Sequence, residues 1–272
     1  MRPMRTTAGV TLVELIVVIA ITSIIAAAVA LFIRRPVEGY ADAARRAALT
    51  DEADTALRRM TRDLRLALPN SVRVDGSGKF VEYIETTGGG RYRADVANSG
   101  PPGDILDFTA ADTAFDVLGT PPTLVAGNQI VVYNLYNTGA TSNAYSGDNR
   151  TAFSSLAAPT ITMASKLFPE PSPAKRFHVV SGPVTYGCVG TQLIRYSGYS
   201  YNEPQVAPPA GGVAAVLANN VDFAACQFVY TPGALTERIA TVSIILQINS
   251  TAAGGNVEQV RMFQQAQVSN AP

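Results

Sequence analysis

The residue best placed to do chemistry in this chain is Glu14. It stands fifth after Gly9 in the run Gly9-Val10-Thr11-Leu12-Val13-Glu14, and between positions 15 and 33 no side chain is charged. A carboxylate in such a run costs about 2.5–3.5 kcal/mol at the centre of a bilayer if it has no partner. Its chemistry is therefore ion pairing. A positive group brought to it in low dielectric would be held far more strongly than in water. No basic residue of the segment itself can supply that charge from within a membrane.

Other reactive types are sparse. The chain has one histidine, His178, in the alternating run Phe177-His178-Val179-Val180, with no ligand spacing around it. A lone histidine far from any serine or cysteine partner does not make a catalytic triad. There is no nucleophile elbow, phosphate loop or paired-histidine zinc motif. The expectation is a non-catalytic protein with no cofactor and no resident metal. Asp104 with Asp107, or Asp148 with Asn149, would be the places to look for calcium, although such clusters are common in loops.

The elements that must carry Glu14 follow from the hydrophobic pattern. An apolar run of roughly 20 residues is what a helix needs to span the hydrocarbon core, and the stretch 10–33 meets it before Arg34-Arg35. Arginines flank both ends (Arg2, Arg5 and Arg34, Arg35), so the charge rule leaves orientation open. Pro36 removes a helical hydrogen bond and predicts a kink or interruption at the membrane exit. Helical periodicity then resumes: Leu49, Ala53, Leu57, Met60, Leu64 and Ala67 make one apolar stripe. On the remaining faces Arg45, Arg46, Arg58, Arg59, Arg62 and Arg65 alternate with Asp42, Asp51, Glu52, Asp54 and Asp63, a pattern of a solvated, salt-bridged face or of a partner surface. The helix is expected to run from 10 to 68, with Pro69-Asn70-Ser71 as its stop.

Beyond 71 the period shortens. Strand-like runs occur at 72–74, 80–84, 105–108, 130–136, 177–180, 193–196 and 228–230, separated by turns at Gly76-Ser77-Gly78, Gly88-Gly89-Gly90, Pro101-Pro102-Gly103 and Pro208-Pro209. Segments 238–249 and 257–268 flank 252–256 as a hairpin, and 137–160 and 197–212 read as long surface loops. The fold class is α+β: a long N-terminal helix whose apolar stripe covers an antiparallel sheet. With 21 basic and 21 acidic residues the chain is formally neutral, so nucleic acid is not an expected partner.

The segment Gly9-Val10-Thr11-Leu12-Val13-Glu14, behind a short leader with two arginines, resembles the prepilin signature of type IV pilins and type II secretion pseudopilins. The resemblance implies cleavage between Gly9 and Val10 by a prepilin peptidase and N-methylation of Val10. It also implies that Glu14 pairs with the new N-terminal amine of a neighbouring subunit. Val10 departs from the family's usual Phe. Two other readings stay open: an ordinary secretory signal cut at Ala28-Val29-Ala30, and an uncleaved anchor. An ordinary signal has an apolar region of roughly 7–15 residues, shorter than this one.

Looser motifs resemble minor pilins of the mannose-sensitive haemagglutinin (MSHA) pilus, O type, and the related J-type minor pseudopilins. They include Arg35-Pro36-Val37-Glu38-Gly39-Tyr40, 56–64, 67–74, 186–204 and the ending 260–272. That likeness implies a leader at 1–9, a membrane and filament-core helix at 10–35, an amphipathic helical half at 36–70 and a periplasmic β domain at 71–272. The implied partners are major and minor pilins, the prepilin peptidase and the inner-membrane assembly platform. The protein would be a single-pass inner-membrane protein and then part of a pilus at the cell surface. Loops near Tyr145 and Tyr199 to Tyr201 would serve a tip adhesin. In an exported domain Cys188 and Cys226 are expected to form a disulfide, two free buried thiols being the alternative.

Overall fold

The computed structural model describes residues 9–95, 103–139, 141–233, 239–251 and 257–272. Their fold is α+β, one N-terminal helix followed by an antiparallel β domain. The leader ahead of Gly9, the turn at Pro101-Pro102, Arg238 and the hairpin turn at 252–256 lie outside the described residues.

Helix α1 runs Leu12–Leu64 and takes in Pro36 without ending there. An internal proline costs about 3 kcal/mol, and the good helix formers on either side (Ala, Leu, Arg) continue the ladder beyond it. The chain divides along this helix into two compact units, Met1–Ala48 and Leu49–Pro272. In the first unit apolar side chains of the helix are exposed, Leu12, Leu15, Ile19, Ile24 and Phe32 among them. In the second, Leu49, Ala53, Leu57, Met60, Leu64 and Ala67 are all buried, as one stripe at spacings of three and four requires.

The helix stops four residues earlier than its periodicity suggests. Its last turn tightens, with Leu66 N donating to Asp63 O (3.0 Å) and Ala67 N to Leu64 O (3.2 Å). Leu68 N then donates to Ile84 O at 2.8 Å, and Thr86 N to Leu66 O at 2.9 Å, so residues 66–68 join a strand instead of continuing the helix. Asn70 takes a positive φ of 58° at the turn that follows.

Nine strands form one sheet: β1 (Arg73–Val74), β2 (Phe80–Tyr92), β3 (Asp112–Leu118), β4 (Gln129–Val132), β5 (Arg150–Ala157), β6 (Thr160–Lys166), β7 (Arg176–Val189), β8 (Gln192–Ser197) and β9 (Val213–Ala218). Three more form a second sheet in chain order: β10 (Gln227–Thr231), β11 (Ile239–Thr251) and β12 (Val257–Ser269). Within the first sheet the order β2-β3-β6-β5-β4-β7 closes on itself, because β7 also pairs with β2. The result is a six-stranded antiparallel barrel, filled by Tyr92, Phe115, Val117, Ile130, Ile161, Phe177 and Val179.

β2 and β7 serve two cores. Their residues Val81, Tyr83, Val184 and Tyr186 pack with the helical stripe and with Val242, Ile244, Leu246 and Ile248 of β11. Past the register irregularity at Glu85, Thr86 and Gly88 the same two strands enter the barrel. Gly88-Gly89-Gly90 is thus strand, not the turn its composition suggests. A Cβ on Gly89 would lie 2.8 Å from the carbonyl oxygen of Phe177, and one on Gly90 3.0 Å from its ring. Glycine is needed where barrel strands approach this closely. The barrel also accounts for the other departures. The expected strand at 105–108 is irregular, the expected loop 137–160 contains β5, and β3 carries no apolar run long enough to announce it.

Candidate functional site

The N-terminal segment is built as a capped helix start. Thr11 Oγ1 accepts the backbone N–H of Glu14 at 3.3 Å, and Thr11 O accepts that of Leu15 at 3.1 Å. Thr11 is therefore the N-cap and Glu14 the third helical residue, the spacing of a capping box. Sequence reading missed this role of Glu14, although Thr11-x-x-Glu14 is the pattern that marks such a helix start. In a complete box the glutamate would bond back to the cap's N–H. Here the carboxylate is exposed and makes no hydrogen bond or ion pair among the described residues. It sits at the positive end of the helix dipole, available to a charge from outside the chain.

The span Leu12–Ala30 has a mean hydropathy of 2.7, and none of it is buried within the chain. Its two hydroxyls are satisfied internally: Thr22 Oγ1 donates to Val18 O at 2.7 Å and Ser23 Oγ to Ile19 O at 2.7 Å. Such back-bonding removes the cost of carrying Thr and Ser into an apolar medium. The helix is long and apolar enough for a single-pass membrane anchor, and Glu14 is its acid.

The remaining residues singled out in the sequence fall elsewhere. Cys188 and Cys226 are disulfide-bonded, with Cα atoms 6.6 Å apart, and tie the end of β7 to the segment entering β10. Lys79 reinforces the same junction, its Nζ donating to the carbonyls of Phe223 (2.7 Å), Ala224 (3.1 Å) and Cys226 (2.6 Å). His178 pairs with Gly89 and Val131 on β7; burial, helped by Arg176, pulls its pKa from 6.5 down to about 4. Asp107 accepts from Thr109 (2.7 Å), and Asp148 accepts the N–H of Asn143 (2.9 Å) and that of Ser142. These carboxylates shape their own loops, and no group of three or more metal-ligating side chains occurs among the described residues.

Tyr145, Tyr199 and Tyr201 do come together, but inside the domain. Arg73, 5% exposed, bonds Glu82 Oε2 at 2.7 Å and Glu203 Oε2 at 3.0 Å, and its guanidinium lies 3.6 Å from the centre of the Tyr145 ring. Tyr199 OH donates to Glu82 Oε1 (2.9 Å), Tyr145 OH to Ser71 O (2.9 Å), and Arg150 covers the Tyr201 ring at 3.7 Å. Burial raises the pKa of Glu82, against the opposing pull of Arg73, and raises Tyr145 and Tyr199 as well. This polar knot fastens the 197–205 loop to β1 and β2. Tyr145 and Tyr199 are buried in it and Tyr201 is half-buried, its hydroxyl without a hydrogen bond among the described residues. The sequence named its tyrosines but not Arg73, Glu82 or Glu203, whose spacing along the chain carries no sign of contact.

Comparison with known proteins bears on the N terminus. A family described as the prokaryotic N-terminal methylation motif matches residues 4–30. No curated protein and no solved structure matches the chain. The N terminus thus carries a prepilin-like N-methylation motif leading into an apolar helix, the signal found on pilins and pseudopilins.

Proposed function

We propose that this protein is a minor type IV pilin of the MSHA kind, cut between Gly9 and Val10, methylated at Val10 and assembled with other pilins to prime or cap a filament. The observation that carries the reading is the coincidence of the methylation motif with an exposed apolar helix start whose one carboxylate, Glu14, has no partner among the described residues. Residues 10–35 supply the membrane and filament-core helix, 36–70 the amphipathic half, and 71–272 the periplasmic domain. The role is structural, and the partners are the prepilin peptidase, the assembly platform and other pilins. The protein starts in the inner membrane and ends in the pilus.

The sister reading is a J-type pseudopilin of type II secretion, which shares every step up to assembly. A deletion strain separates them, since loss of pili marks the first and loss of secreted protein the second. A tip-adhesin reading through the loops near Tyr145 and Tyr199–Tyr201 would act through Ser200 and the half-buried Tyr201, since Tyr145 and Tyr199 are buried.

The decisive substitution is Glu14→Ala. The variant is expected to be cleaved and folded like the parent but to fail in filament assembly, because nothing then neutralises the neighbour's amine in the apolar filament core. Normal piliation by this variant would overturn the reading.

A further inference from the structure

A groove of about 340 Å³ opens between α1 and β12, lined by Asp54, Arg58, Thr61, Arg62, Arg65 and Gln264. Three guanidiniums face one carboxylate there. Arg58 Nε donates to Asp54 at 2.6 Å and Arg62 Nε lies 3.7 Å from Asp63, while Arg65 is exposed with no ion pair among the described residues. At the floor stands Thr61, 7% exposed, with its hydroxyl buried and unbonded. A mid-helix threonine ordinarily turns that hydroxyl back to a carbonyl one turn earlier, as Thr22 does in this same helix. An orphaned buried hydroxyl is costly and calls for a partner.

Gln264 points the same way. The residues of β12 that alternate with it, Val260, Met262, Ala266 and Val268, belong to or pack against the main core. Gln264 breaks that apolar series with an amide at the groove wall. β12 is also the edge of its sheet, and among the described residues it pairs only with β11, over Val257–Ser269. Around Gln264 this edge lies beside a cationic groove and has no strand partner but β11 among the described residues, which is the arrangement for adding an extended strand.

We propose that this groove is a docking site for an extended acidic segment of a partner protein. The segment lies along the free edge of β12 and places a carboxylate among Arg58, Arg62, Arg65, the Thr61 hydroxyl and the Gln264 amide. The commitment to a carboxylate on a strand follows from two features that coincide: net positive charge in the groove and a sheet edge at its wall. Charge-assisted bonds to guanidinium supply the energy, and the strand edge supplies the direction.

The test uses the full-length protein in detergent and three probes: a blocked heptapeptide of alternating glutamate and valine, its glutamine counterpart, and inorganic phosphate. The glutamate peptide is expected to bind, and the glutamine peptide more weakly by on the order of tenfold or more. Arg62→Gln with Arg65→Gln should weaken the glutamate peptide by a similar factor with an unchanged melting temperature, since both side chains are exposed. Thr61→Val should also weaken it, and this variant tests the floor of the groove without altering charge. Equal binding of both peptides, no binding of either, or phosphate binding as tightly as the glutamate peptide would each overturn the proposal. None of these outcomes depends on whether Val10 is the mature N terminus.

Discussion

The hydroxyl of Tyr186 on β7 donates to Oδ2 of Asp63, in the last turn of α1, at 2.5 Å. Arg195 of β8 lies 3.6 Å from the same oxygen and 3.3 Å from Glu85 of β2. One helical carboxylate is therefore held by two strands, at the point where the chain leaves the helix. This contact fixes the helix end against the sheet with direction, which the apolar stripe alone cannot do.

Tyr186→Phe keeps the ring and deletes the donor. A hydrogen bond to a charged group contributes about 1.5–3 kcal/mol, and Arg195 remains to hold Asp63. A loss of roughly 1.5 kcal/mol in urea unfolding is expected from that bond alone. An unchanged midpoint would show that Arg195 suffices.

Arg73 and Glu82 form a buried pair, 5% and 1% exposed. Removing one partner of such a pair costs about 3–5 kcal/mol, because the other charge is left uncompensated. Arg73→Met should reach that range, and adding Glu82→Gln should recover part of it. A double mutant as unstable as the two single losses added together would mean that the pair is not the unit of stability here.

His178 makes the barrel sensitive to acid. Its folded pKa, about 4, lies below the ordinary 6.5 because burial, and then Arg176, oppose its charge. The unfolded chain therefore takes a proton first. The contribution of this site is intact above pH 6.5, shrinks as pH falls from 6.5 towards 4, and amounts to roughly 3 kcal/mol across that window. His178→Gln should flatten the stability profile between those limits. Parallel profiles for variant and parent would contradict the assignment.

Much of this architecture was legible in the sequence, for physical reasons that differ by region. The stripe from Leu49 to Ala67 follows a helical period, and all six of its residues are buried. The hairpin of β11 and β12 alternates clearly, from Ala240 and Val242 to Ile248, and formed where expected. The barrel was not legible. Its strands β3, β5 and β6 place single apolar residues, such as Phe115, Phe153 and Ile161, between Ser, Thr, Ala and Asp, so no run is long enough to signal a strand. Gly88-Gly89-Gly90 read as a turn because composition cannot tell a reversal from a close strand approach. At the N terminus, the Gly9–Glu14 spacing pointed to an acid that would need an outside charge; the structure adds that Thr11 caps the helix start and that the Glu14 carboxylate is exposed. The Arg73 knot escaped because its members are brought together only by the fold.

The central claim rests on where the mature chain begins. The direct measurement is the intact mass and N-terminal sequence of the protein recovered from native membranes. A chain starting at N-methylated Val10, with Glu14 as its fifth residue, is the predicted result. A chain starting at Leu31, or one still carrying Met1, would contradict the account and remove Glu14 from any role in assembly.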